Sequence, residues 1–166
     1  PDLERLVAML KAVPGVEDIA LSTNGVRLPA MARTLVAAGL DRVNISIDSR
    51  RPDRIRQIAR RDLKFDPLAS LTSAIDAGLD PVKFNMVVMR GINDDEIEGF
   101  VDFARSIGGS LQLIELEDLG LGDGIFSSFH LDLAGIESRV AGMADLVVKR
   151  EEMNRRTRYL VKGTPV

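Results

Sequence analysis

The sequence contains no cysteine and a single histidine, His130. Without cysteine the chain forms no disulfide and offers no thiolate to zinc or to an iron-sulfur cluster. His130 has no second histidine near it, so no metal ligand is expected in the chain. Long hydrophobic runs are also missing. Nothing approaches the roughly 18 to 20 apolar residues of a membrane-spanning helix, and the N-terminus shows neither the basic region nor the apolar core of a secretory signal. No sign of charge dominates: 22 basic and 25 acidic residues give a formal net charge of -3. Neither nucleic acid nor an anionic membrane is therefore expected as a partner, and the expected compartment is the cytoplasm.

What is present is enough for an ordinary core. The 166 residues, 45% apolar, suit one globular domain. Helical and strand patterns alternate along it. Leu3, Leu6, Val7 and Leu10 repeat at helical spacing behind Asp2 as a possible cap, and Pro14-Gly15 ends the segment. A strand is expected over 18–22, then a helix with Leu28, Met31 and Leu35 on one side. A strand follows at 41–49, and a short helix over 52–60. Asp66-Pro67 marks a further helix start, with Leu68, Leu71 and Ile75 turned inward. After the strand "VKFNMVV", Asn93 with Glu96 reads as a capping box for a helix that buries Ile97, Phe100, Val101 and Ala104 and stops at Gly108-Gly109. "LQLIEL" is a fourth strand.

"AGLDRV" at 38–43 and "AGLDPV" at 77–82 repeat one helix-to-strand joint. Glycine favours such helix ends because it tolerates left-handed backbone angles. Repeated joints of this kind imply parallel strands with helices outside, so the fold class is α/β, either a doubly wound sheet or a partial (β/α) barrel. The polar residues favour the barrel. In "DRVNISIDS" the side chains of Asn44, Ser46 and Asp48 alternate with Val43, Ile45 and Ile47 and so occupy one face. Ser22 pairs by parity with Asn24, Lys83 with Asn85, and Glu115 with Leu113 and Glu117. If these sets share an interior, they line a pocket near the C-terminal ends of the strands, where barrel enzymes place their sites. The other reading of the same alternation is an uncovered sheet facing water.

Lys83 offers three donors and a mobile positive charge suited to a phosphate chain; alternatively it pairs with Asp48 or Glu115. Ser46 and Asn44 can bond a ribose or a carboxylate, or can satisfy one another. Asn24-Gly25 reads as a turn. "GLGDG" at 120–124 lacks the residues of a phosphate loop and reads as a mobile loop. Phe126 and Phe129 read as packing. The basic run around Lys149, Arg150, Arg155, Arg156 and Arg158 reads as a solvated edge strand, with phosphate contact as the alternative.

Taken together and in order, "LSTNGVRL", "AGLDRVNISIDS", "VKFNMVVMRGINDDEI" and "LIEL" resemble the GTP 3',8-cyclase family, the MoaA-type radical S-adenosylmethionine enzymes of molybdenum cofactor biosynthesis. The resemblance runs through most of residues 1 to about 120. It implies an incomplete (β/α) barrel of the radical SAM type over 1–125, with 126–166 as a C-terminal extension of the same domain carrying a helix and short strands. It further implies S-adenosylmethionine and [4Fe-4S] clusters as cofactors and GTP as substrate. The family reaction is a lyase step giving (8S)-3',8-cyclo-7,8-dihydroguanosine 5'-triphosphate. Carried over position by position, Ser22 and Lys83 fall on GTP contacts and Ser46 on a contact of S-adenosylmethionine. Glu117 stands where the family has a methionine against S-adenosylmethionine, a departure from its pattern. Asn24, Asn44, Asp48, Asn85 and Glu115 then support the pocket, and no residue is marked as catalytic.

The cluster ligands of that family are cysteines, and none is present. The expectation is therefore a central piece of a longer enzyme, inactive by itself. A second possibility is a cluster-free relative that binds a nucleotide or a partner. A third is a phosphate-binding half-barrel of another class that uses Lys83 in proton transfer. Unpaired strand edges would make a homodimer plausible.

Overall fold

The computed structural model describes residues 2–63, 65–118, 120, 124–141, 146–150 and 157–161. Helices and strands alternate as α1 (Leu3–Lys11), β1 (Ala20–Thr23), α2 (Leu28–Ala37), β2 (Arg42–Ser46), α3 (Pro52–Ala59), α4 (Pro67–Asp76) and β3 (Val82–Val88). A 3-10 turn (Asp94–Glu96) leads into α5 (Ile97–Ile107), followed by β4 (Ser110–Glu115), α6 (Ile125–Phe129), α7 (Leu133–Ala141), β5 (Leu146–Arg150) and β6 (Thr157–Val161). One sheet has the order β1-β2-β3-β4, and the β1–β2 and β2–β3 pairs are parallel. β5 and β6 form a separate antiparallel pair with Lys149 opposite Arg158. Lys149 and Arg150 thus lie on one strand of this pair and Arg158 on the other, while Arg155 and Arg156 lie outside the described residues, as do positions 121–123 of "GLGDG".

The chain divides into two compact units, Pro1–Met86 with Ser110–Leu113, and Val87–Gly109 with Ile114–Val166. In the first, β2 and β3 bury Val43, Ile45, Val82 and Phe84 on one face, and α2 and α4 contribute Leu28, Ala32, Leu35, Leu71 and Ala74 to the same core. The two expected glycine joints are built alike. Gly39 and Gly78 have φ of 105° and 89°, and the amides of Leu40 and Leu79 reach back to the carbonyls of Leu35 and Ala74 at 3.0 and 3.1 Å. In the second unit, α5 buries Ile97, Phe100, Val101 and Ala104, as its spacing predicts, and α7 buries Ile136 and Val140.

Several local expectations are corrected. Asp2 makes no capping hydrogen bond, and of the first helix's apolar stripe only Val7 is buried, Leu6 being 50% exposed. Asp66 does cap α4, accepting from the Leu68 and Ala69 amides at 2.9 and 3.2 Å. That helix, however, presents Ser70, Leu71 and Ala74 inward, leaving Leu68 43% and Ile75 39% exposed. Small residues win there because Ser70 abuts the glycine turn and its hydroxyl donates to the Gly25 carbonyl at 2.9 Å. Nor does Asn93 cap the next helix. Wholly buried, it accepts from the Met89 amide at 2.7 Å and donates to the Val87 carbonyl at 2.9 Å, pinning the backbone at the end of β3.

Candidate functional site

Strand register decides which polar residues meet. Ser22 on β1 is level with Asn44 on β2, and Asn44 is level with Lys83 on β3. One pleat further along, Ser46 is level with Asn85. Residues level with one another in parallel strands project from the same face, and alternation puts both rows on the face opposite Val43, Ile45, Val82 and Phe84. Ser22 and Ser46 are exposed; Asn44, Lys83 and Asn85 are half-buried. Parity thus grouped these five residues correctly, and the pairing brings them into two rows.

Asn24 follows β1 in the turn. Its side-chain oxygen accepts from the Val26 amide at 3.3 Å, while the Thr23 hydroxyl accepts from the Gly25 amide at 3.1 Å. Gly25 is required here. Its φ is 76°, and a Cβ would come within 2.9 Å of Ile45 Cγ2 and 3.2 Å of Ser70 Cβ. Asp48, beyond the end of β2, is half-buried and already engaged in an interaction of its own.

The polar face is not self-sufficient. The side-chain oxygens of Asn44 and Asn85 are buried with no hydrogen-bond donor, a state that costs about 1 to 3 kcal/mol for each group. Lys83 has no ion pair among the described residues, so neither suggested partner, Asp48 or Glu115, holds it. Lys83 thus stands with two asparagine oxygens that lack donors and two exposed hydroxyls on one face of the sheet, which offers both donors and acceptors.

The second unit holds the remaining candidates. Glu115 lies at the end of β4, and its carboxylate is 2.6 Å from Nε2 of His130. The Phe126 ring lies against that imidazole, with centroids 4.4 Å apart. His130 is therefore a partner of Glu115, and no group of three or more potential metal ligands occurs among the described residues. No local pattern in the sequence foretold this pair, because the two residues are 15 positions apart and meet only when α6 folds back. Glu117 is exposed beyond the strand. Phe129 contributes its carbonyl, which accepts from the Arg90 amide at 2.8 Å.

Parallel β/α units with glycine-ended helices, packed on one four-stranded sheet, define an α/β protein of the partial-barrel type. The family model of the Radical SAM superfamily matches residues 1–104, and the chain belongs to that superfamily. Among curated relatives it is 39% identical over 163 residues to a probable GTP 3',8-cyclase of Methanothermobacter thermautotrophicus, covering 98% of this chain and 53% of that protein. It is 42% identical over 159 residues to a probable GTP 3',8-cyclase of Methanocella arvoryzae, covering 95% and 50%. A GTP 3',8-cyclase of Moorella thermoacetica is 47% identical over 115 residues, 69% of this chain and 36% of that one. The chain thus spans about half the length of the first two relatives. A solved structure of TYW1 with a lysine-pyruvate adduct bound shares the fold, with a TM-score of 0.60 at 13% identity over 99% of this chain and 53% of that chain.

Proposed function

We propose that this chain is the central part of a GTP 3',8-cyclase, a lyase of molybdenum cofactor biosynthesis that turns GTP into (8S)-3',8-cyclo-7,8-dihydroguanosine 5'-triphosphate. The observation that carries the reading is the row Ser22, Asn44 and Lys83, with a cation that has no ion pair among the described residues, in a chain whose relatives bear that name. Ser22 and Lys83 orient GTP. The ammonium of Lys83 meets the phosphate chain, and partial burial strengthens that attraction relative to open water. Ser46 would help hold S-adenosylmethionine, which, on receiving one electron from an iron-sulfur cluster outside these residues, would supply the radical chemistry. Asn24, Asn44, Asp48 and Asn85 support the pocket, and Glu117 occupies the place of the family methionine. The strands fix the two ligands at a reactive separation and keep water away.

The residues present do not fit a [4Fe-4S] cluster, because its ligands are thiolates and the chain has no cysteine. The 166-residue chain accordingly binds ligands without performing the reaction. That same lack of cysteine favours the second reading, a cluster-free nucleotide- or partner-binding relative. Residues 1–125 form the barrel portion and 126–166 its extension. The setting is cytoplasmic, with neither nucleic acid nor membrane as partner; no helix among the described residues is long and apolar enough to cross a membrane. Exposed Leu6, Met9 and Leu10 on α1 support a homodimer.

Titration of the chain with GTP tests the reading. Saturable binding that weakens about tenfold in Lys83→Ala is expected, the worth of one charge-assisted contact. Identical binding curves for parent and variant reject it. A cyclase is distinguished from a cluster-free relative by the polypeptide as it occurs in its organism, since cysteines elsewhere in that polypeptide allow the cluster and their absence forbids it.

A further inference from the structure

We infer that Asn44 is a substrate-positioning residue that contacts the same ligand as Ser22 and Lys83, and that it belongs to the GTP row of the sheet, apart from the row of Ser46. The inference rests on the cyclase reading above.

Register carries it. Asn44 is level with Ser22 on one side and with Lys83 on the other. Neighbouring strands lie about 4.8 Å apart, so the outer two backbones are about 10 Å apart with Asn44 midway. All three side chains rise from one face. A ligand that touches both Ser22 and Lys83 must therefore pass over Asn44. Ser46 is two residues further along the same strand, about 7 Å away, and its level partner is Asn85. The two rows present separate sets of groups.

Chemistry supports the same assignment. The Asn44 side-chain oxygen is buried without a donor, and no hydrogen bond of its amide occurs among the described residues. Rotation about the last asparagine torsion is soft and roughly two-fold. The amide can thus turn either its NH2 toward a phosphate or carbonyl oxygen, or its oxygen toward a ribose hydroxyl. Lys83 only donates, and the Ser22 hydroxyl, which both donates and accepts, sits on a shorter side chain at the other end of the row.

The test titrates the 166-residue chain, Asn44→Ala, Asn44→Asp and Lys83→Ala with GTP and with guanosine, recording the thermal midpoint of each protein. Asn44→Ala should weaken GTP about fivefold to tenfold. Asn44→Asp should weaken it further, because a carboxylate then faces the triphosphate, and the gap between the two variants should narrow for guanosine, which has no phosphates. Combining Asn44→Ala with Lys83→Ala should cost less than the product of the single effects, since both act on one ligand. If Lys83→Ala weakens GTP while both Asn44 variants bind it like the parent, the role of Asn44 is overturned and the cyclase reading stands. If the parent shows no saturable GTP binding, or Lys83→Ala matches it, that reading falls and the inference with it. Equal losses for GTP and guanosine in both Asn44 variants, accompanied by lowered thermal midpoints, would mark a structural residue and also overturn the proposal.

Discussion

The two faces of the β2–β3 pair share one backbone and differ in how they are satisfied. On one face Val43, Ile45, Val82 and Phe84 are buried within the unit's own core. On the other, Asn44 and Asn85 keep buried oxygens without donors, and Lys83 has no ion pair among the described residues. Apolar groups need only be removed from water, which neighbouring helices do. Polar groups need partners of complementary geometry, and the described residues do not supply them on this face. The first face is satisfied by burial, and the second is the one on which the proposed function places a ligand.

Substitutions can break or sharpen that contrast. The largest effect is expected at Phe84, which is 0% exposed: Phe84→Ala should lower the unfolding free energy by about 3 to 5 kcal/mol, measured by urea denaturation. An effect below about 1 kcal/mol would mean that the apolar face is not the core. Next is Gly25→Ala, which combines a left-handed backbone with a Cβ 2.9 Å from Ile45 Cγ2. About 2 to 3 kcal/mol is expected, visible as a lower thermal midpoint.

Acid should act more weakly, and at the far end of the sheet. The carboxyl of Asp41 lies below its ordinary value of 3.8, first because the Lys11 ammonium bonds it and then because the Ile19 amide donates to it. Asp18 is lowered as well, chiefly by its hydrogen bonds from Arg42. Groups whose values are lowered on folding contribute stability that is complete above the unfolded value and fades as pH falls through the folded one. The parent should therefore lose stability below about pH 4, and Asp41→Asn should show a shallower acid slope in denaturation at pH 3 and pH 7. The smallest effect on folding belongs to the polar face. Lys83→Ala should change stability by less than about 0.5 kcal/mol while weakening GTP, and a large loss of stability would expose a partner for this lysine.

Much of this could be read beforehand, and the exceptions have a common origin. The alternation in "DRVNISIDS" located the two faces of β2, and the repeated "AGLD" joints located two helix ends, because both features follow from local backbone geometry. Helix faces were harder. In α4 the leucine and isoleucine spacing pointed to Leu68 and Ile75, yet Ser70 is buried because Gly25 stands beside it. Asn93 looked like a cap and instead holds the end of β3. Glu115 looked like a partner for Lys83 and instead meets His130.

The sequence by itself determined the period of each segment, the ends of most helices and the parity of Ser22, Asn44, Ser46, Lys83 and Asn85, since these depend on residues within a turn or a pleat of one another. Only the tertiary structure decided that Ser22, Asn44 and Lys83 stand level in one row, that Ser46 stands with Asn85 in another, and that no carboxylate among the described residues neutralises the lysine. Register between strands is fixed by the helices and joints that connect them, through contacts between residues 20 or more positions apart, and no local pattern carries that information.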